Sequence, residues 1–368
     1  MTFALGAGTI RINVRIARGR VCAVEVSASR PQGLARLFVG RRPEEAPALA
    51  GQLFSLCGFS QSVAARLALL GAAGDAMGAD ERRLAAFGLL AERVFETLRA
   101  FVLAWPSDKV KAGAAEAGFL REALAASHEI LARVRSGQKD DIGFDAPVAR
   151  LAAAARGLGI GETDREPAAG SVCAAILGET RRDQIFRRRR ADALHAADDA
   201  EVIGHLGRVQ GYEALPYLAG RIAETGAYAR LCNGAAADEP HMASRFLARI
   251  DDVRLCLDQL RRMAGGQNVD LAPLLEDRAT PSAGGCGVVE CARGRLYHMA
   301  EIGTDGLIGS YRILAPTEWN FHPAGPLVET LLSCRLDVDA GQKAVAQLVA
   351  LFDPCVAFEI NLSEARHA

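Results

Sequence analysis

From Thr9 to Ile16 apolar and polar side chains alternate with a period of two, with Ile10, Ile12, Val14 and Ile16 on one side and Arg11, Asn13 and Arg15 on the other. Successive side chains of an extended backbone point to opposite sides, so this is a strand with one buried face. Ala17-Arg18-Gly19-Arg20 reads as a turn and Val21 to Val26 as the returning strand of a β-hairpin, with Cys22 expected in its core. A loop through Phe38 to Arg42 then enters a short helix near Pro43. Beyond Cys57-Gly58 the period changes: Ser60, Gln61 or Ser62 begins a helix running to about Leu70. Asp80 to Ala104 and Ala112 to Ser136 are expected to be long helices forming an antiparallel pair, divided by Trp105-Pro106-Ser107-Asp108.

Gly137 to Gly161 and Asp164 to Gly170 read as looser connections, because Gly, Asp and Pro interrupt them. Arg187 to Arg190, following Arg181 and Arg182, reads as a solvated, helical basic patch, and Arg181 to Arg190 as a candidate docking surface; no interleaved aromatic residues accompany it as in a nucleic-acid platform. Phe246 to Met263 is an amphipathic helix with Ile250, Val253, Leu257 and Leu260 near one face and Cys256 beside it. From Pro281 onward strands return: glycines and short apolar runs lead through Cys286 and Cys291 to His298 and Met299. Tyr311 to Leu314 is a further strand, leaving through Ala315 to Phe321 into an ordered loop. Leu327 to Leu332 and Gln342 to Phe352 are closing helices that deliver the turn Phe352-Asp353-Pro354-Cys355, followed by a short tail.

Composition narrows the class. Half of the 368 residues are apolar, only 6% are aromatic, and Ala, Leu and Arg dominate, which favours a mainly α, or α+β, protein over a sandwich or barrel. A net charge of -1 gives no global attraction to nucleic acid or anionic membrane. No secretory signal opens the chain and no apolar run reaches the length of a membrane span, so a cytoplasmic protein is expected. The cysteines, nine and therefore odd, are scattered without a CxxC pair, and read as free thiols rather than a disulfide framework or structural zinc site. His195 and His205 are too far apart to form a ligand pair on one helical turn, and His128 and Trp105 read as packing or surface residues.

Two thiols stand out. Pro354 stiffens the backbone before Cys355, and Cys57 precedes a helix whose positive N-terminal end is expected to lower its pKa. Taken alone, each also admits a bland reading as a packed cysteine.

Several blocks in order resemble the large subunit of nickel-iron hydrogenases. Gly8-Thr9-Ile10-Arg11-Ile12 is similar to that family's G-H-L-R-I-like strand, Leu56-Cys57-Gly58-Phe59-Ser60 to its C-G-x-C motif, and Glu290 to His298 to E-x-P-R-G-x-x-x-H with Ala292 replacing the proline. Ala315-Pro316-Thr317-Glu318-Trp319-Asn320 resembles P-T-x-W-N, and Phe352 to Cys355 supplies the final D-P-C. The resemblance implies a single domain over 1–368, a hydrogenase-large-subunit-like helical bundle with small peripheral β-structure. In it 1–70 packs with 281–368 around a mostly helical middle, 71–280.

The departures bear on function. Ser60 and Phe358 stand where the second thiol of each terminal motif is expected, and a hydroxyl and a phenyl ring do not replace bridging thiolates for nickel. Ala64 and Asn361 stand at expected histidines and Ala7 at an expected acid; the chain stops soon after Asn361, as though not built for C-terminal processing. This pattern resembles the HupK/HoxV-type hydrogenase maturation proteins. It implies a non-enzymatic scaffold or metallochaperone holding an Fe(CN)2(CO) fragment transiently, with maturation proteins and a hydrogenase large-subunit precursor as partners. A divergent catalytic hydrogenase-like or quinone-linked oxidoreductase subunit, and a metal-free structural paralogue, are the alternatives. The resemblance assigns Cys57 and Cys355 as thiolate ligands of the iron, although they match the positions that bind nickel rather than those that bridge to iron. It assigns Arg293 as a donor to cyanide, Pro316 and Thr317 as pocket lining, and Glu290 and His298 as hydrogen-bonding supports. Cys291 is either a spare ligand or a packed cysteine, and Cys173, Cys232, Cys286 and Cys334 are structural.

Overall fold

A computed structural model describes residues 8–29, 33–137, 141–231, 238–280, 284–332 and 334–365; Ala7, Cys232 and Pro281 lie outside them. The hairpin consists of β1 (Thr9–Ala17) and β2 (Arg20–Ser29), turning at Arg18 and Gly19, both at positive φ. Ile10, Ile12, Val14 and Ile16 are buried as the alternation requires. Cys22, expected in the core, is instead exposed, its thiol donating to the Arg15 carbonyl. Val21 and Val26 turn inward on β2, and Cys22 takes the solvent side next to the bulge that shifts register at Arg15 and Ile16.

α1 (Ala46–Leu53) leads to α2 (Gly58–Ala73), followed by the long pair α3 (Ala79–Leu103) and α4 (Ala114–Arg135). The expected loose stretch holds a helix, α5 (Asp145–Gly157), because its alanines, with Val148 and Leu151, pack into the main core. The expected helical basic patch is not helical. α6 (Val172–Arg181) ends there, and the Asp183 carboxylate accepts the N–H groups of Ile185 and Phe186, a turn that competes with helix continuation. Arg189 is ion-paired with Glu329, and Arg181 with Glu166 and Glu239.

α7 (Asp199–Arg208), the short α8 (Ala227–Leu231) and α9 (His241–Ala264) come next. The second sheet is antiparallel, ordered β3 (Leu275–Ala279), β4 (Gly284–Cys291), β5 (Gly294–Ile302), β6 (Ile308–Leu314). β4 is buried along its whole length and α2 lies on it. The expected loop after β6 is a helical turn, α10 (Pro316–Asn320), with Pro316 pre-set for its first position. α11 (Pro326–Leu332) and α12 (Val338–Phe352) lead to the D-P-C turn. Beyond that turn the chain forms a strand rather than a loose tail: β7 (Ala357–Glu364) runs parallel to β1, with Phe358 opposite Ile10 and Asn361 opposite Asn13. Cys355 is thereby held between a helix end and a sheet joining the two ends of the chain. Among the described residues no helix is long and apolar enough to cross a membrane.

Candidate functional site

The start of α2 is fixed by α3. Gly88 leaves room for the Phe59 ring, since a Cβ there would lie 2.2 Å from Phe59 Cε1. One turn on, the Glu92 carboxylate accepts the N–H groups of Phe59 (2.7 Å) and Ser60 (2.9 Å) and the Ser60 hydroxyl. Cys57 caps this helix, but the expected lowering of its pKa is reversed. Burial raises it well above the ordinary thiol value, with Cys291, Glu92 and Cys355 adding negative charge against the opposing pull of Arg293. Loss of solvent around the sulfur outweighs the helix end, whose N–H groups at Phe59 and Ser60 are in any case taken by Glu92. Burial also pushes the Glu92 carboxyl up to about 7, outweighing its hydrogen bonds.

A polar chain holds Cys57 from the sheet side. Gln61 Nε2 lies 3.5 Å from Cys57 Sγ, Gln61 Oε1 lies 2.6 Å from His298 Nε2, and His298 Nδ1 lies 2.8 Å from the Tyr311 hydroxyl. With the amide oxygen accepting from Nε2–H, Nδ1 accepts from Tyr311. Burial lowers the His298 pKa to about 3, so the ring is neutral.

Cys355 lies two residues after Asp353, whose φ of 51° bends the chain sharply. The Thr317 hydroxyl donates to Cys355 Sγ at 3.3 Å, and Pro316 starts the helical turn that carries it. Arg293, in the β4–β5 turn, is 4% exposed. Its Nη2 donates to Glu96 Oε2 at 3.1 Å, and its Nε lies 3.7 Å from Asp353 Oδ2, which is also 3.2 Å from Arg249 Nη2. Among the described residues, neither Nε nor Nη1 of Arg293 has a hydrogen-bond partner. Glu290 is paired with Arg230 and with Arg295 Nη1 at 3.4 Å.

Cys291 ends β4, is buried, and its sulfur accepts the backbone N–H of Arg293. Burial pushes its thiol up to about 11. Three sequence-assigned residues, Cys57, Cys355 and Arg293, thus share one electrostatic environment with Cys291, while Glu290 and His298 stand in the surrounding hydrogen-bond network. Among the described residues no three His, Cys, Asp or Glu side chains already form a group able to hold a metal ion. Ser60 is committed to Glu92, and Phe358 packs beside the main core from β7. Sequence reasoning does not single out Glu92, Glu96 or Gln61. The available signal was a pair of carboxylates, Glu92 and Glu96, one helical turn apart among buried apolar positions of α3.

The fold is that of a nickel-iron hydrogenase large subunit. The chain aligns with the reduced, active Ni-Fe-Se hydrogenase of Desulfomicrobium baculatum at a TM-score of 0.61 and 14% identity, covering 93% of this chain and 95% of that one. It aligns with an NAD+-reducing [NiFe]-hydrogenase in the H2-reduced state at a TM-score of 0.56 and 16% identity, covering 92% and 93%. A family model described as nickel-dependent hydrogenase matches residues 242–360. Sequence relatives are more specific. The hydrogenase expression/formation protein HupK of Rhizobium leguminosarum bv. viciae is 55% identical over 100% of both chains. HupK of Bradyrhizobium diazoefficiens is 34% identical over 98% of both, and HoxV of Cupriavidus necator is 30% identical over 92% of this chain and 93% of its own. The chain belongs to the HupK/HoxV family of hydrogenase expression/formation proteins.

Proposed function

We propose that the chain is a non-enzymatic scaffold in nickel-iron hydrogenase maturation, holding an Fe(CN)2(CO) fragment at Cys57 and Cys355 before its transfer to a hydrogenase large-subunit precursor. The observation that carries this reading is the buried Arg293 guanidinium, whose Nε and Nη1 have no hydrogen-bond partner among the described residues, beside thiols that are not in a disulfide. Leaving such donors unmade is costly, and cyanide ligands on the cargo iron are acceptors suited to them. The names of the relatives support the maturation role.

In this reading Cys57 and Cys355 bind the cargo as thiolates, and Arg293 offsets the negative charge of thiolates and cyanides. Thr317 steadies Cys355 through its hydroxyl, as Gln61 steadies Cys57. Because burial keeps the Cys57 proton in place, loading releases it and strengthens as pH rises. Ser60 and Phe358 offer no bridging thiolate, so no four-thiolate nickel site closes around the cargo and release stays possible. The maturation proteins that deliver the fragment and the large-subunit precursor that receives it are the proposed partners.

Infrared spectra of protein isolated without air from cells containing the maturation machinery test this. Cyanide and carbonyl stretching bands are expected in the unaltered chain and lost in Cys57→Ala and Cys355→Ala. A chain without such bands refutes the scaffold reading, and hydrogen-dependent dye reduction by the purified chain refutes the non-enzymatic assignment.

A further inference from the structure

β4 carries its residues to two different environments. A Cβ on Gly285 would lie 2.1 Å from the Ala68 carbonyl oxygen, and one on Gly287 would lie 2.1 Å from that of Ala64, so odd-numbered positions face α2. Cys286 and Val288 point the other way, into a separate apolar cluster with Tyr297 and Met299. By the strand's two-residue period, Val289 and Cys291 continue the α2 face. Advancing from Gly285 to Gly287 moves the contact back by one helical turn, from Ala68 to Ala64. From Gly287 to Cys291 the strand advances by about 13 Å, and from Ala64 back to Cys57 the helix covers about 10 Å. The end of β4 and the start of α2 therefore meet, with a thiol at each.

We infer that Cys291 is a third thiolate ligand for the cargo held by Cys57 and Cys355, completing a three-sulfur site for iron that carries three diatomic ligands. The inference rests on the scaffold reading and deepens it. Six-coordinate iron with two cyanides and one carbonyl has three positions left, more than two thiolates fill. Cys57 and Cys355 match positions on the nickel side of the hydrogenase arrangement, so a ligand from a different direction also answers where the iron sits. Cys291 arrives from the sheet, whereas Cys57 comes from a helix start and Cys355 from a turn. Its sulfur already accepts the Arg293 N–H, a contact that favours the thiolate and orients it. The unpartnered Nε and Nη1 of the same arginine are an independent sign of a ligand there. The thiols are not preassembled as a metal cage, so binding draws them together. Each thiol gives up its proton to solvent as its sulfur bonds to iron, with no change of oxidation state.

The full chain and its Cys291→Ala, Cys291→Ser and Cys286→Ala variants, purified without air after expression with the maturation machinery, test the inference. Removal of the Cys291 sulfur is expected to shift the cyanide and carbonyl bands and to speed iron loss to a chelator by on the order of tenfold or more, while Cys286→Ala behaves like the unaltered chain. Bands and iron retention unchanged in both Cys291 variants overturn it. If the unaltered chain shows no bands, the scaffold reading fails by itself and Co2+ added alone to the same proteins decides on Cys291. A weaker thiolate-to-cobalt charge-transfer absorption in both variants supports the third ligand, and equal absorption overturns it. Circular dichroism restricts the comparison to folded protein, and the serine variant retains the cysteine's size.

Discussion

Two side chains that touch the thiol region from opposite sides titrate in opposite senses. Glu92 keeps its proton to about 7 in the folded chain, against 4.5 ordinarily, so the unfolded chain loses it first and stability falls as pH rises between those values. His298 is neutral down to about 3, against 6.5 ordinarily, so below 6.5 the unfolded chain gains a proton that the folded chain refuses, and stability falls as pH drops. Chemical denaturation across pH is expected to show Glu92→Gln flattening the first dependence and His298→Gln flattening the second. Unchanged profiles would mean that these groups are hydrated. His298 was visible in the sequence as part of a motif, but Gln61 and Glu92 were not, because their roles come from contacts across 237 and 33 positions of chain.

The contact between α2 and β4 is made by small residues. Gly285 and Gly287 let the strand approach the helix backbone at Ala68 and Ala64, and a side chain at either has nowhere to go. Gly287→Ala is expected to cost about 1–3 kcal/mol, as overpacked cores do, measured by equilibrium denaturation. The same substitution is expected to weaken cargo retention, because it separates the elements that carry Cys57 and Cys291. A variant as stable as the unaltered chain would show that the two elements are free to part. The glycines were legible as close-approach positions, but not their partner, since period-two spacing names a face without saying what covers it. The basic run failed as a helix for a local reason, the Asp183 turn, and α5 was missed because alanine-rich sequence carries little amphipathic contrast.

Across the whole molecule, Asp252 on α9 joins helical middle to sheet. It accepts from Arg93 of α3 and Arg230 of α8, and Arg230 in turn reaches Glu290 on β4. Its carboxylate is held well below the ordinary range because the two arginines outweigh burial. Asp252→Ala is expected to destabilise by about 3–5 kcal/mol in chemical denaturation, since it leaves buried arginine charge uncompensated; a loss below about 1 kcal/mol would mean that water replaces the carboxylate. The sequence by itself determined the hairpin, the long helix pair, the closing helices and the two end thiols, because strand alternation, helical periodicity and proline geometry act over a few residues. Only the tertiary structure decided that β7 pairs with β1, that Glu92 consumes the donors at the start of α2, and that Cys291 shares the face of β4 turned to α2 while Cys286 faces away. Those outcomes depend on burial and on which surfaces meet, and the energies of desolvation and close packing that fix them exist only once distant segments have come together.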